Sequence, residues 1–195
     1  MSVVPVLLAA GGGSRFAGAE HKLRALLDGR PVHRHAIDHL LDAGFDTTIV
    51  VTGAVALDLE FDLDSGDRRI IEIHNEQWAK GQASSVQRGL VAAAELGASA
   101  VIIGLADQPF VPGAAWRAVA DAPASALLVI ATYDGVVGPN PVRIDRSLWP
   151  LLPDSGDEGA RGLLRSHRSS VQEVSCPGSA ADIDTLEDLQ RWKSS

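Results

Sequence analysis

Short apolar runs alternate with amphipathic stretches along most of the chain. Val3–Leu8 contains no polar residue, Thr47–Thr52 is rich in β-branched residues, and Ala100–Leu105 is again apolar. Continuous apolar runs of this length are typical of strands that are covered on both faces. The pattern therefore predicts a layered α/β fold in which helices pack on a central sheet.

Helical spacing and turn residues separate these apolar runs. Pro31 favours the start of a helix and Gly44 favours its end, and the apolar positions between them lie on one helical face. The other predicted helices are Ser84–Leu96, Gly113–Ala120, Gly159–His167 and Thr185–Trp192, and the other predicted strands are Ile70–His74, Leu127–Tyr133, Pro141–Ile144 and Val171–Val174. Residues 53–69 mix apolar and acidic positions and are predicted to be irregular or marginally helical.

Length and composition narrow the class of protein. The 195 residues favour a single domain spanning residues 1–195. Seventeen basic and 25 acidic side chains give a net charge of −8, which argues against nucleic acids and anionic membranes as partners. The single Cys176 excludes an intramolecular disulfide framework and favours a reducing, cytoplasmic location. The apolar segment at the start runs directly into glycines, so it is predicted to be a strand and not a signal peptide.

The first candidate for chemistry is a glycine-rich loop after the first predicted strand. It reads LAAGGGSRFAG over residues 8–18, and Arg15 and Lys22 supply two cations. Such a loop lets backbone N–H groups approach an anion closely, which suits a triphosphate. The loop lacks the Gly-Lys-Ser/Thr ending of a Walker loop, and Phe16 stands where the dinucleotide pattern needs a glycine. A flexible turn with two solvated cations is the alternative.

Two acidic segments are candidates for a metal site. Asp107 follows the predicted strand Ala100–Leu105, at the edge where α/β sheets bind their ligands. Asp182 and Asp184 are two residues apart, so in an extended segment both would face a cation while Ile183 turns into the core. Carboxylates suit Mg²⁺, which takes one or two of them together with substrate phosphates. Helix capping is the alternative at both places.

Three further segments are candidates for substrate contacts. Gly81 allows close approach, and Ser84 and Ser85 lie at a predicted helix start that could hold a phosphate or read a base edge. The predicted loop 135–141 and the run 156–161, with Arg161 as a phosphate clamp, are candidates for an acceptor pocket. The remaining unusual residues are predicted to be structural: His33, His35 and His39 on a helix surface, Cys176, and the four tryptophans Trp78, Trp116, Trp149 and Trp192 in the core.

These motifs together resemble the molybdenum cofactor cytidylyltransferase branch of the MobA-like nucleotidyltransferases. The matching stretches are LAAGGGSRF with Lys22, NEQWAKGQASSVQRGL, DQP, GPNPVRI, GDEGARGLL and DIDTLEDL, in the order of that family. They cover nearly the whole chain. The run from Arg15 to Lys22 is longer than in the family, and Asn140 stands where the family often has histidine.

The resemblance implies a fold, a reaction and a set of site residues. The fold is a three-layer α/β architecture of the glycosyltransferase-A-like type, with a mixed, mostly parallel sheet. The reaction transfers a nucleoside monophosphate from an NTP to a terminal phosphate of a molybdopterin-type cofactor and releases pyrophosphate. The implied nucleotide-binding residues are Leu8, Ala9, Ala10, Gly11, Gly12, Gly13, Ser14, Gly81 and Ser85; Arg15, Lys22 and Asp107 are implied to be catalytic; Asp107 and Asp184 to bind Mg²⁺; and Asn140 and Arg161 to contact the acceptor.

The sequence leaves several alternatives open for the identity of the substrates. Ala10 stands where the guanylyltransferase branch tends to carry glycine, which by analogy favours CTP. The expected partners are thus CTP and a phosphorylated pterin or other small phosphate acceptor, with a molybdoenzyme or its maturation chaperone as a protein partner. A guanylyltransferase or a sugar-1-phosphate nucleotidyltransferase of the same fold is the near alternative. A non-catalytic carrier of a pterin cofactor and, more distantly, a dinucleotide-binding oxidoreductase are the alternatives from other classes.

Overall fold

The computed structural model describes residues 2–59 and 69–193 and contains one large mixed sheet. In chain order its strands are β1 (Val3–Ala9), β4 (Thr47–Thr52), β5 (Arg69–His74), β6 (Ala100–Leu105), β7 (Leu128–Tyr133), β8 (Val136–Asp145) and β9 (Val171–Ser175), and a separate small hairpin consists of β2 (Leu26–Leu27) and β3 (Arg30–Pro31). The spatial order of the sheet is β5-β4-β1-β6-β8-β7-β9.

Most strand pairs in this sheet are parallel. β5, β4, β1 and β6 run in one direction, and β7 pairs with β9 in parallel. β8 is antiparallel to both of its neighbours, β6 and β7. The mixed, mostly parallel sheet confirms the predicted fold class.

Helices cover both faces of the sheet. The helices are α1 (Val32–Asp42), α2 (Gln82–Glu95), α3 (Gly113–Ala120), α4 (Arg161–Ser166) and α5 (Leu186–Lys193). Successive side chains of a strand point to opposite faces, so Leu7 packs in the cluster of α1 and α3 while Val6 and Leu8 pack in the cluster of α2. A third cluster joins Ile183 and Leu189 to the β2–β3 hairpin. The result is the predicted three-layer arrangement.

The main local correction concerns β8. The sequence predicted a loop over residues 135–141 followed by a short strand, but β8 already begins at Val136. Asp134 and Gly135 both have positive φ, 51° and 77°, so they form the two-residue turn of a β-hairpin. The Asp-Gly pair was a signal for this turn, and the sequence reading overlooked it.

The other differences are smaller. Helix α4 begins at Arg161 instead of Gly159, and the β2–β3 hairpin was not predicted. Residues 53–59 contain no helix or strand, in agreement with the irregular alternative of that prediction, and residues 60–68 lie outside the described residues. Arg69, the last residue of the segment, is instead the first residue of β5. In the described part of the chain, no helix is both long and apolar enough to cross a membrane.

Candidate active site

The predicted loops meet in one cleft at the carboxyl ends of β1 and β6. These strands are parallel neighbours, with Leu8 opposite Leu105, so the glycine loop and Asp107 emerge at the same edge of the sheet. The cleft has a volume of about 330 Å³. Its lining includes every predicted nucleotide-binding residue, from Leu8 to Ser14 together with Gly81 and Ser85, and also Arg15, Lys22, Asp107 and Asp184.

Lys22 lies at the centre of a compact charge cluster in this cleft. Its ammonium nitrogen is 2.5 Å from Asp107 Oδ2 and 2.7 Å from Asp184 Oδ1. The Arg15 guanidinium, which is mostly exposed, lies 2.9 Å from Asp184 Oδ2. The carboxylates of Asp107 and Asp184 are thus paired with the side chains of Lys22 and Arg15. The side chain of Lys22 is only 11% exposed.

The environment of Lys22 keeps it charged. Burial is the largest single influence and lowers the pKa of Lys22, but the carboxylates of Asp107 and Asp184 together outweigh it, so the net pKa is raised. The ammonium group therefore remains protonated at neutral pH. A fixed positive charge beside a glycine loop is suited to binding phosphate oxygens.

The two carboxylates also fit a divalent cation. Asp107 Oδ1 is buried and has no hydrogen-bond partner among the described residues, so one oxygen of this carboxylate is free to take a ligand. Oxygen donors are those that Mg²⁺ and Mn²⁺ prefer. The described residues contain no cluster of three or more His, Cys, Asp or Glu side chains that could hold a metal ion by itself. Asp107 and Asp184 would therefore share a metal ion with substrate phosphates.

Contacts between the DQP and DID segments place Asp107 beside Asp184. The Ile183 amide donates to the Asp107 carbonyl at 2.9 Å, and the Ile183 side chain is fully buried, as predicted. Asp182, however, does not line the cleft, because its Oδ1 accepts a 2.7 Å hydrogen bond from the buried Gln108 amide. Burial, followed by the nearby Asp107 charge, raises the pKa of Asp182. Of the two aspartates predicted to face a cation, only Asp184 lines the cleft, and its metal-binding role stays a prediction.

Residues 184–188 both cap helix α5 and contribute a side chain to the cleft. Asp188 Oδ2 accepts hydrogen bonds from the backbone amides of Asp184 and Thr185, while Thr185 Oγ1 accepts from the Asp188 amide at 3.1 Å. This is the capping box that the sequence indicated at the start of α5. Because the capping is done by Thr185 and Asp188, the side chain of Asp184 remains available to the cleft.

The glycine loop offers unpaired backbone donors to the cleft. Within residues 2–59 and 69–193, the amides of Gly11, Gly12, Gly13 and Ser14 donate no hydrogen bond. His21, which the sequence reading missed, supports this loop: its Nε2 lies 2.9 Å from the Gly11 carbonyl, and its Nδ1 accepts from the Leu23 amide at 3.2 Å. Burial is the main cause of the lowered pKa of His21, so the ring is neutral at pH 7 and donates from Nε2.

Trp78 also contacts the glycine loop, which corrects its predicted core position. It is 37% exposed and lines the cleft, whereas Trp116 and Trp149 are buried as predicted. A Cβ atom built on Gly12 would lie 2.9 Å from the Trp78 ring, so the glycine is what allows the indole to rest on the loop. No sequence signal separated this tryptophan from the others, because exposure depends on the tertiary arrangement.

Asn75 holds the turn that carries Trp78 and the start of α2. Its side chain is almost completely buried, and its amide nitrogen donates to Ser84 Oγ at 3.0 Å and to Ser85 Oγ at 2.9 Å. Its Oδ1 accepts from the Gln77 amide at 3.0 Å. Of the two serines predicted as contacts, Ser85 lines the cleft, while Ser84 donates to the Gly81 carbonyl at 2.8 Å and is absent from the lining.

The GDEGA loop closes the same end of the cleft. The Gly156 amide donates to the Lys80 carbonyl at 2.8 Å, and the Gly156 carbonyl accepts from the Ala83 amide at 2.9 Å. Gly81 has φ 100° and ψ 173°, a conformation essentially restricted to glycine. These contacts bring Asp157, which belongs to the run 156–161 predicted for an acceptor pocket, into the cleft lining beside Gly81.

Replacing Gly81 with alanine is expected to lower both stability and nucleotide affinity. The new Cβ would lie 2.5 Å from the backbone of Gly156 and would push the GDEGA loop from the cleft. Gly97→Ala is the matched control, because Gly97 also has positive φ (70°) but nothing lies within 4 Å of the added Cβ. We expect a loss of about 1 kcal/mol for the control and about 3 kcal/mol for Gly81→Ala, measured by urea unfolding. Equal losses would contradict the importance of this close approach.

The predicted acceptor residues lie outside this cleft. Asn140 and the exposed Arg161 line a smaller depression together with Glu158 and Leu164. Gln82 lines both cavities, so the depression adjoins the cleft at the start of α2. The structure thus groups Asn140 with Arg161, and their acceptor role stays a prediction.

The residues set aside in the sequence have structural partners. The imidazoles of His33, His35 and His39 each lie within hydrogen-bond distance of a backbone carbonyl, at 2.7, 2.9 and 3.1 Å. Cys176 is buried, and burial raises the pKa of its thiol. His33 is buried, which corrects its predicted position on the helix surface.

Comparison with known proteins decides the family. The model of the MobA-like NTP transferase domain matches residues 5–171. The chain belongs to this family. It is therefore a nucleotidyltransferase, and the family assignment made from its motifs is confirmed.

Individual relatives of this MobA-like protein agree with the assignment. The purine catabolism protein PucB of Bacillus subtilis (strain 168) is 30% identical over 199 residues, which cover 95% of this chain and 93% of PucB. The crystal structure of Rv0371c from Mycobacterium tuberculosis H37Rv superposes with a TM-score of 0.80 at 26% identity, covering 100% of this chain and 98% of that one. Another structure of Rv0371c is a complex with manganese, with a TM-score of 0.77, 25% identity and full coverage of both chains.

Proposed function

We propose that this MobA-like nucleotidyltransferase, acting as one domain over residues 1–195, transfers CMP from CTP to the terminal phosphate of a molybdopterin-type cofactor and releases pyrophosphate. The observation that carries the proposal is the cluster of Lys22, Asp107 and Asp184 beside the glycine loop, whose amides at residues 11–14 donate no hydrogen bond within the described part of the chain. This arrangement combines anion donors, a buried cation and two metal-binding carboxylates in one cleft. A carrier protein would not need that combination.

The proposed reaction is an in-line displacement at the α-phosphorus. An oxygen of the acceptor phosphate forms the new bond, and the bond from the α-phosphorus to the bridging β-oxygen breaks, so pyrophosphate leaves with the electron pair. A phosphate monoester is already ionised near neutral pH, so no strong base is required. The amides of residues 11–14 hold the phosphates, and Lys22 and Arg15 offset the charge that develops on the leaving group.

A divalent cation, Mg²⁺ by preference, belongs to the proposal. Asp107 and Asp184 would hold it, and when bound it would neutralise charge on the phosphates. The manganese complex of Rv0371c supports a divalent ion in this branch of the family. Lys22 now lies between the same two carboxylates, so we infer that it moves toward the phosphates when nucleotide and metal bind together.

A thermal-shift panel tests the nucleotide and the metal. We expect CTP with Mg²⁺ at 100 times its dissociation constant to raise the melting temperature by about 5–10 °C, and CTP with EDTA to give a much smaller shift. GTP, ATP, UTP and NAD serve as comparisons. A shift with GTP alone would contradict the choice of CTP, whereas no shift with any nucleotide would favour the carrier alternative. Pyrophosphate release in the presence of a phosphorylated pterin then tests the acceptor.

A further inference from the structure

We propose that His21 orients the peptide between Gly11 and Gly12, so that the Gly12 N–H points into the cleft and binds a phosphate of the nucleotide. The inference rests on the proposed function, because that function makes the glycine loop the binding site for the phosphates. His21 lies in the run from Arg15 to Lys22, which is longer here than in the family, so the resemblance assigns it no role. It acts as a positioning residue, because it contacts the loop and the loop contacts the substrate.

The two ring nitrogens of His21 have partners of opposite polarity. The Leu23 amide can only donate, so Nδ1, 3.2 Å away, is the nitrogen with the lone pair. The proton of the neutral ring is therefore on Nε2, which faces the Gly11 carbonyl at 2.9 Å. A carbonyl can only accept, so both contacts require the same tautomer. His21 consequently donates to Gly11 while Leu23 fixes the ring from its other side.

The planar peptide group converts this contact into a direction for the Gly12 amide. The peptide between Gly11 and Gly12 is trans, so its C=O and its N–H point to opposite sides. The lining of the cleft includes both glycines but not His21. A Gly11 carbonyl turned to His21 therefore leaves the Gly12 N–H to point away from the imidazole, toward the cleft. Within residues 2–59 and 69–193 that N–H donates no hydrogen bond, so it is available to a ligand.

The neighbouring carbonyls of the loop are held by backbone groups. The Ala10 carbonyl accepts from the Ala54 amide at 3.1 Å, and the Gly13 carbonyl accepts from the Phe16 amide at 2.9 Å. Both donors belong to the main chain, so substitution of a side chain leaves these contacts in place. The Gly11 carbonyl is held by a side chain, so a single substitution can release this peptide alone.

Glycines on both sides allow the released peptide to turn over. Rotation of a peptide plane changes ψ of the residue before it and φ of the residue after it, and glycine has the widest choice of both angles. A Cβ atom built on Gly11 would have no atom within 4 Å, so the space around this residue is open. A turned peptide would present the Gly11 carbonyl oxygen to the phosphates and repel them. The hydrogen bond from His21 makes the donor orientation the stable one.

Two substitutions separate the two hydrogen bonds of His21. Glutamine carries its Nε2 as many bonds from Cα as histidine does, so His21→Gln can still donate to the Gly11 carbonyl but gives up the contact with Leu23. Asparagine carries its Oδ1 where histidine has Nδ1, so His21→Asn can accept from the Leu23 amide but gives up the donor to Gly11. Both variants lack the ring, so a difference between them reports the contact with Gly11.

Calorimetric titration of the full chain with CTP and with cytidine, both in the presence of Mg²⁺, tests the effect on binding. We expect His21→Gln to bind CTP within about threefold of the wild type and His21→Asn to bind it at least about tenfold more weakly. Cytidine has no phosphate, so its affinity is expected to be the same in all three proteins. If the thermal-shift panel favours another nucleotide, that nucleotide and its nucleoside replace CTP and cytidine.

His35→Asn is the matched control for the titration. The His35 Nε2 lies 2.9 Å from the Leu27 carbonyl, and neither residue lines the cleft. The substitution removes a contact between a histidine and a carbonyl of the same kind but leaves the glycine loop untouched. It is expected to bind CTP like the wild type.

Crystal structures of the unliganded wild type and of His21→Asn test the orientation itself. We expect one orientation of the peptide between Gly11 and Gly12 in the wild type, and a turned peptide or two orientations in the variant. A peptide that keeps its wild-type orientation in His21→Asn overturns the inference, whatever the titration gives.

The outcomes separate the inference from the proposed function. Equal losses of CTP affinity in His21→Gln and His21→Asn mean that the ring acts by packing, and unchanged affinity in both means that it does not act on the loop. Either result overturns the inference alone, as does an equal loss of cytidine affinity in His21→Asn. Wild-type protein that binds no nucleoside triphosphate contradicts the proposed function, and the inference falls with it.

Discussion

Asp107→Asn is expected to lower the rate of pyrophosphate release by about a thousandfold, equivalent to about 4 kcal/mol of transition-state stabilisation. The substitution keeps the size of the side chain but removes the charge that pairs with Lys22 at 2.5 Å and the oxygen proposed to bind the metal. Oδ1 of Asp107 is buried and has no hydrogen-bond partner among the described residues, so an NH₂ group at that position has no acceptor. The measurement is steady-state turnover with CTP, Mg²⁺ and a phosphorylated pterin.

The control for Asp107→Asn is an exposed aspartate outside the cleft lining. Asp121→Asn changes the net charge equally and is expected to leave turnover unchanged. Circular dichroism of both variants shows whether the fold is retained. Turnover near the wild-type rate in a folded Asp107→Asn protein would remove Asp107 from the mechanism.

Lys22→Met is expected to lower turnover by about a hundredfold to a thousandfold while it strengthens metal binding without nucleotide. Methionine keeps much of the length of the side chain but removes the ammonium group that binds both carboxylates. Asp107 and Asp184 then lack their shared counter-ion, so a divalent cation meets less competition. The measurements are turnover and the Mn²⁺ dissociation constant from electron paramagnetic resonance.

Two controls sharpen the Lys22→Met experiment. Lys80→Met removes an exposed lysine whose ammonium donates to the Gln77 side chain, and it is expected to change neither measurement. Added Mn²⁺ should raise the melting temperature of Lys22→Met more than that of the wild type, since it replaces the lost positive charge. Weaker Mn²⁺ binding by Lys22→Met would contradict competition between the ammonium group and the metal.

These two variants remove opposite charges from the same cluster of ion pairs. Asp107→Asn removes part of what raises the pKa of Lys22, and we expect that pKa to fall. Lys22→Met removes the group that holds the carboxylates in the absence of substrate. Because Asp107→Asn removes an oxygen proposed to bind the metal, it is expected to weaken Mn²⁺ binding, whereas Lys22→Met is expected to strengthen it. These opposite effects separate the metal-binding role of Asp107 from the phosphate-binding role of Lys22.

Local patterns were sufficient for most of the fold. The predicted bounds of β4, β6 and α3 agree with the structure at both ends, because each is a continuous apolar or amphipathic run bounded by turn residues. The predicted version of β8 was too short because the first half of this strand contains Gly138 and Pro139, which are typical of a loop. Tertiary pairing with β7 and β6 overrides that local preference.

The sequence predicted those cleft residues that directly follow a strand, because the end of a parallel strand determines where the next residues lie. Asp107 closely follows β6, and the glycine loop follows β1, so the parallel register brings them to one edge. His21, Trp78 and Asp157 were not predictable in the same way. Their place in the cleft depends on how loops that are distant in sequence pack on each other.

The sequence by itself determined the α/β class, the order of the strands along the chain, the glycine loop and the family, because these follow from short-range periodicity and from motifs that are continuous in the chain. Only the tertiary structure decided that Lys22 bridges Asp107 and Asp184, that Asp182 turns to Gln108, and that Asn75 donates to both Ser84 and Ser85. The physical reason is that hydrogen-bond polarity and charge pairing depend on distances across the fold, which spacing along the chain does not specify.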